Sequence, residues 1–211
     1  MSDIIAQLQS YKLIPVITMH DIDHALPLAD SLIAAGLPVM EITLRTPQAL
    51  SCLKLIRQKR PEILAGAGTI LNMNLAVQSI DVGAQFLISP GLNAGLKKLG
   101  PTIQNTPYLP GVSTISEVME AQEAGFRRLK FFPADISGGV PMLKNLSNLF
   151  SDLQFCPTGG IQEHALTNYL SVKNVFAVGG SWLTPNDKMK NQDWATITDI
   201  VRSSVGLIPR P

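Results

Sequence analysis

Charge is scarce in this chain. Only 16% of its 211 residues are charged and the net charge at pH 7 is +1, a balance that argues against nucleic acid or a membrane surface as its partner. Cysteine is almost absent. Cys52 and Cys156 supply neither a disulfide framework nor a metal-ligand spacing. Both fall in apolar patterns and read as small core residues of a reduced, intracellular protein. Of the three histidines, His20 and His24 lie in a segment that reads as a loop entering a helix, and His164 falls in a later helix. Such placements favour solvated or capping histidines over metal ligands. No Ser-His-Asp arrangement stands out. No apolar run approaches the ~20 residues that span a bilayer, and Met1–Ile5 contain no basic segment leading into an apolar one. The expected address is the cytoplasm.

What is present is apolar and periodic. The chain is 45% hydrophobic with a mean hydropathy of +0.19, enough to bury a sizeable core. No linker or composition break interrupts it, so residues 1–211 read as one domain. Short apolar runs recur at Ile14–Ile17, Val39–Thr43, Ile63–Ala67, Phe86–Ser89, Thr106–Leu109, Arg128–Phe132, Phe155–Thr158 and Val175–Val178. A helix-like stretch follows each, at a spacing of about 20–27 residues, the length of one strand–helix unit. Eight such units predict an α/β fold with a parallel sheet closed into a TIM (β/α)8 barrel. An open doubly wound sheet is the alternative, but Gly66-Ala67-Gly68-Thr69 matches its glycine fingerprint only in part.

Helix signals fit the same rhythm. Ala25, Leu28, Ala29, Leu32, Ile33 and Ala35 form an apolar stripe ended by Gly36. Thr46-Pro47 predicts an N-cap before a first-turn proline. Thr114-Ile115-Ser116-Glu117 fits a capping box, with a stop at Gly125. Asn72, Gln162 and Asp193 lie near further helix starts, and the basic cluster Arg57–Arg60 suits a helix end. Residues 1–10 read as an additional N-terminal helix. The tail Ser203–Pro211 is expected to be loosely held or used at a contact.

Lys130 is the candidate of greatest interest, in the run Arg128–Pro133. Side chains alternate along a strand, so Lys130 and Phe132 share one face. With both faces covered, the amine points into a core, where burial disfavours its charged form. The neutral amine is the form that attacks a carbonyl and makes a Schiff base. If the strand is an edge, Lys130 simply reaches solvent along its alkyl stem.

Polar groups gather where strands run into their helices, the face that carries the active site of a barrel. In Met40–Arg45, Met40, Ile42 and Leu44 take the helix side, leaving Glu41, Thr43 and Arg45 pointing inward or upward. Glu41 then reads as a proton shuttle beside Lys130, or as a structural ion-pair partner of Arg45 or Lys130. Arg45 offers a planar fork for a carboxylate, or is a surface arginine. Thr69 could bind the same carboxylate or merely cap a helix, after small residues Ala65–Gly68 that keep the backbone accessible to a ligand. Ser89-Pro90-Gly91 offers an apolar wall at Pro90, or a plain turn. Pro157-Thr158-Gly159-Gly160 and Val178-Gly179-Gly180-Ser181 end the last two strands. Glycine pairs there expose N–H groups for an anion, where barrels often bind phosphate, or serve only tight turning. Gly138-Gly139 admits the same two readings.

Taken together these residues resemble the 2-keto-3-deoxy-6-phosphogluconate (KDPG) and 4-hydroxy-2-oxoglutarate (KHG) aldolase family. The match runs in order through Glu41–Thr46, Gly66–Thr69, Ile88–Gly91, Leu109–Gly111, Lys130–Pro133, Pro157–Gly160 and Gly179–Trp182. Leu92–Asn105 and the C-terminal tail fall outside it. The resemblance implies a class I aldolase on a TIM barrel, a homotrimer working on a small keto acid with neither metal nor cofactor. It makes Lys130 the Schiff-base lysine and Glu41 the general acid/base. Arg45 and Thr69 would hold the pyruvate carboxylate, and Pro90 and Phe132 would line the pocket. Thr158 would meet the hydroxyl chain, and Gly159, Gly160, Gly180 and Ser181 the phosphate. Arg45 and Thr158 together favour the phosphogluconate branch over the phosphogalactonate one. A sugar-phosphate isomerase or epimerase on the same barrel, or a non-catalytic sensor of phosphorylated acids, are the alternatives.

Overall fold

The computed structural model describes residues 4–208. Its frame is a ring of short parallel strands joined by helices, with one short antiparallel strand added at its side. β1 (Leu13–Ile17), β2 (Val39–Thr43), β3 (Leu64–Gly68) and β4 (Leu87–Ile88) are followed by β5 (Thr102–Ile103) and β6 (Thr106–Leu109). β7 (Gly111–Val112), β8 (Arg128–Phe131), β9 (Gln154–Pro157) and β10 (Val178–Gly180) complete the set. Ladder pairing gives the order β10-β1-β2-β3-β4-β6-β5 in one sheet and β7-β8-β9 in the other.

Two links join these sheets. β6 lies beside β4 and β7 beside β8, so Thr106–Val112 is one barrel strand interrupted at Pro110, a residue with no N–H for a ladder. Its carbonyl still accepts from Lys130 N at 2.8 Å. On the other side, bridges Phe155↔Val175 and Thr158↔Gly179 bring β9 against β10. The architecture is a TIM (β/α)8 barrel preceded by the helix Ile4–Tyr11, which buries Ile5 and Leu8. Parallel strands covered on both faces read as continuous apolar runs, and β2 and β3 are buried at every position.

Several expected helix ends form as the sequence suggests. The helix Ile115–Glu123 begins with a capping box between Thr114 and Glu117, and Gly125 takes φ +90 just beyond it. Asn72 accepts from Leu75 N at 2.9 Å, and Asp193 from Thr196 N at 3.2 Å. Gln162, by contrast, makes no side-chain cap bond.

Elsewhere the chain departs from expectation. The final strand is Val178–Gly180 rather than Val175–Val178, because ladder pairing with β1 starts at Leu13↔Val178. Thr46 is not an N-cap: its hydroxyl donates to Met19 O, and the helix Ala49–Lys59 starts after Gln48. Thr102–Thr106 forms a hairpin, turning through Gln104 (φ 48) and Asn105 (φ 66), as a two-residue hairpin turn requires. The tail is not loose through Ser203–Gly206. Those residues finish the helix Trp194–Gly206, and Ser204 is fully buried. Residues 1–3 and 209–211 lie outside the described residues.

Candidate active site

β8 is an interior strand. Lys130 pairs with Gly111 on one side and Cys156 on the other, which removes the edge-strand reading. Around the ring β2 and β8 stand opposite one another, so inward side chains from the two strands meet across the interior. Lys130 is 6% exposed and Glu41 is 2% exposed. Lys130 Nζ lies 3.4 Å from Glu41 Oε1 and 5.0 Å from the centroid of the Phe132 ring, an attractive distance for a cation over an aromatic face. The amine thus has one carboxylate and one ring beside it.

Room for that carboxylate comes from glycine. A Cβ on Gly68 would collide with Glu41 Oε1, and one on Gly66 would strike the Phe86 ring. The small residues of β3 accommodate neighbouring side chains. The sequence suggested instead that they expose backbone to a ligand. Thr43, on the same face of β2 as Glu41, donates to Ile17 O at 3.0 Å and lies 2.9 Å from the Thr18 hydroxyl. Thr18 also lines a cavity of about 590 Å³ shared with His20, Asp21, His24 and the segment 186–192.

The remaining candidates sit around the C-terminal ends of the strands. Arg45 is exposed, and its Nε donates to Thr69 Oγ1 at 3.2 Å, which brings the two expected carboxylate-binding residues together. Pro90 is half-buried, its backbone so close to Gly111 that a Cβ there would overlap it. Because Gly111 pairs with Lys130, Pro90 stands one strand from the amine. Ser89 is fully buried, donating to Gly91 O at 2.6 Å, with its hydroxyl also 2.6 Å from that of Tyr108.

At the last two strands, Thr158 is 5% exposed and bridged to Gly179, where a Cβ would meet the Thr158 hydroxyl. Gly159 (φ +97) faces the Phe132 ring, and Gly160 (φ +79) packs against Asp135. A Cβ on Gly180 would strike the Trp182 indole, and Ser181 is exposed. Glycine is needed here for close packing and left-handed backbone, besides any anion-binding role. Gly138 and Gly139 also have positive φ and open the helix Gly139–Leu149.

The sequence profile described as KDPG and KHG aldolase matches residues 4–200. The chain belongs to that family. It is 42% identical over 192 residues to the KHG/KDPG aldolase of Escherichia coli (strain K12), covering 91% of this chain and 90% of that one. A KDPG aldolase from Legionella pneumophila, solved with pyruvate captured as a covalent carbinolamine, superposes with a TM-score of 0.92. It is 40% identical, covering 96% of this chain and 98% of the other. The Zymomonas mobilis 2-keto-3-deoxy-6-phosphogluconate aldolase, solved with 3-phosphoglycerate, gives 0.90 at 40% identity, covering 100% of this chain and 98% of that one.

Other neighbours in this family member carry weaker sequence signals. Cys156 lies level with Lys130, and burial pushes its thiol up to about 12, opposed by the Lys130 charge and reinforced by Glu41. It is an inert thiol at ordinary pH. Behind the glycine doublets, Trp182 Nε1 donates to Ser204 Oγ at 3.1 Å, and Ser204 donates to Glu163 Oε1 at 2.8 Å. Nothing in local sequence pattern points to that chain, since its members come from three separate segments. His24 packs edge-on against Trp194 at 5.4 Å. Among the described residues no group of three or more His, Cys, Asp or Glu stands at metal-ligand spacing, and no helix is long and apolar enough to cross a membrane.

Proposed function

We propose that this chain is a Schiff-base, class I aldolase. It cleaves 2-keto-3-deoxy-6-phosphogluconate to pyruvate and glyceraldehyde 3-phosphate, and 4-hydroxy-2-oxoglutarate to pyruvate and glyoxylate. The observation that carries this reading is the Lys130 amine, buried inside the barrel 3.4 Å from the Glu41 carboxylate. The carbinolamine formed by pyruvate in the Legionella relative is the intermediate such an amine makes.

The free amine of Lys130 attacks the C2 ketone. Glu41 moves protons as the carbinolamine forms and loses water, leaving a protonated imine. That imine is the electron sink. Glu41 takes the proton of the C4 hydroxyl, the C3–C4 bond breaks, and its electron pair enters the imine to give an enamine. The aldehyde departs. Protonation of the enamine at C3 and hydrolysis release pyruvate and restore the amine.

In this reading Arg45 and Thr69 hold the carboxylate, the guanidinium presenting its planar fork. Pro90 and Phe132 wall the pocket, and Thr158 hydrogen-bonds the hydroxyl chain. The N–H groups of Gly159, Gly160 and Gly180, with the Ser181 hydroxyl, receive the phosphate. Residues 1–211 act as one catalytic domain in a cytoplasmic homotrimer. Leu71 (55% exposed) and Ile136 (83% exposed) offer apolar surface for subunits to cover, and light scattering reads the assembly. The central test is incubation with pyruvate and borohydride, followed by intact-mass measurement and peptide mapping. A stable adduct on Lys130 is expected. No adduct, or one that persists in Lys130→Ala, overturns the assignment.

A further inference from the structure

Trp182, Ser204 and Glu163 form a hydrogen-bonded chain that ties together the segments carrying the two glycine doublets. β9 and β10 touch through isolated bridges, the last of them Thr158↔Gly179. No ladder bridge joins the two strands past that point among the described residues; one backbone continues through Gly159-Gly160 with φ +97 and +79, the other through Gly180-Ser181. Glycine backbone is conformationally permissive, so the spacing between the doublets needs support from outside them.

The helix Trp194–Gly206 supplies it. Trp182, two residues beyond Gly180, lays its ring where a Gly180 Cβ would be and donates its indole N–H to Ser204 Oγ at 3.1 Å. Glu163, three residues beyond Gly160, accepts from the same hydroxyl at 2.8 Å. Ser204 is fully buried. One hydroxyl therefore acts as acceptor for one segment and donor for the other. Removing it takes their shared partner from the half-buried Trp182 indole N–H and Glu163 carboxylate, a loss of two hydrogen bonds, one of them to a charged group.

We propose that Ser204 is a positioning residue for the phosphate end of the substrate, holding the two glycine doublets at the separation one phosphate spans. The inference rests on the aldolase reading above and adds to it a determinant of preference for phosphorylated over unphosphorylated substrates. Lys130 and Glu41 lie on β8 and β2, and Arg45 lies just past β2, so none of the three belongs to a segment that these hydrogen bonds join. Effects are confined to ligands that bear a phosphate.

The test compares KM and kcat for 2-keto-3-deoxy-6-phosphogluconate and 4-hydroxy-2-oxoglutarate in the native chain, Ser204→Ala, Ser204→Thr and Trp182→Phe. Trp182→Phe removes the indole donor without touching the helix, and so keeps the question answerable if Ser204→Ala folds poorly. Loss of one such bond in Trp182→Phe is expected to raise KM for the phosphorylated substrate by about 10-fold, loss of both in Ser204→Ala by at least as much, and each to weaken competitive inhibition by inorganic phosphate in parallel. KM and kcat for the unphosphorylated substrate stay within about 2-fold, and Ser204→Thr, which keeps the hydroxyl but adds a buried methyl group, lies closer to native than Ser204→Ala does. Equal losses on both substrates, or no loss on either, overturn the positioning role while leaving the aldolase reading intact. Failure of the native chain to cleave either substrate sinks the aldolase reading, and this inference with it.

Discussion

Glu41 occupies the space that Gly68 leaves without a side chain. β2 and β3 are paired neighbours with Thr43 opposite Gly68, and the Glu41 carboxylate leans over that glycine towards Lys130. A methyl group at residue 68 would overlap Oε1. The acid is therefore held by a strand that contributes no functional group of its own there.

Gly68→Ala is expected to push the carboxylate off Lys130. Misplacing a catalytic group by about 1 Å can cost on the order of 10²-fold in rate, and overpacking a buried site costs about 1–3 kcal/mol. Steady-state turnover and urea unfolding of the same sample measure both. Native kcat with an intact fold would show that the collision is relieved without moving Glu41.

Glu41→Gln preserves shape while removing the proton acceptor. Loss of general acid–base catalysis typically lowers the rate by about 10²–10⁴. Circular dichroism should be unchanged, and borohydride trapping of pyruvate should slow, since carbinolamine dehydration uses the same group. Near-normal aldol cleavage would remove Glu41 from the proposed shuttle.

Arg45→Ala should raise KM for both substrates, because each carries the keto acid carboxylate. A lost hydrogen bond to a charged group is worth about 1.5–3 kcal/mol, or roughly 10–150-fold. Thr69 also loses its Arg45 partner. An effect on the phosphorylated substrate alone would place Arg45 at the wrong end of the ligand.

Alkaline pH should destabilise the fold. Burial raises Cys52 from 9.0 to about 11, Cys156 from 9.0 to about 12, and Tyr108 from 10.0 to about 12. For each group the folded state binds its proton more tightly than the unfolded chain. Its stabilisation is fully present below the unfolded pKa and is lost as pH rises through the folded one. The urea midpoint should hold to about pH 8.5 and fall between pH 9 and 12. Thiol labelling at pH 8 should be slow and track unfolding, as expected of buried thiols. Rapid labelling of the native chain would contradict this.

Much of the frame was legible because it rests on local rules. Val39–Thr43 and Thr106–Leu109 form strands with the bounds the apolar runs suggested. Thr114 and Asn72 cap helices through bonds made within a few residues. What misled was context. Thr46 had a local partner in prospect and found Met19 O, 27 residues away in sequence, instead. Gln104 and Asn105 are not glycines, so the turn they make through positive φ carried little signal. The tail looked loose because it is a chain terminus, whereas Ser204 is fully buried there and bonded to Trp182 and Glu163 from distant segments.

The same division holds at the site. Sequence alone determined the repeating strand–helix units, the amine and the carboxylate within two of them, and the glycine doublets at the last strand ends, because alternation and turn chemistry act over short range. Tertiary structure decided that β2 and β8 face each other across the barrel, that Gly68 makes room for Glu41, and that one serine from the final helix bonds both Trp182 and Glu163. Those relationships join residues dozens of positions apart, and they exist only once the backbone has folded into a barrel.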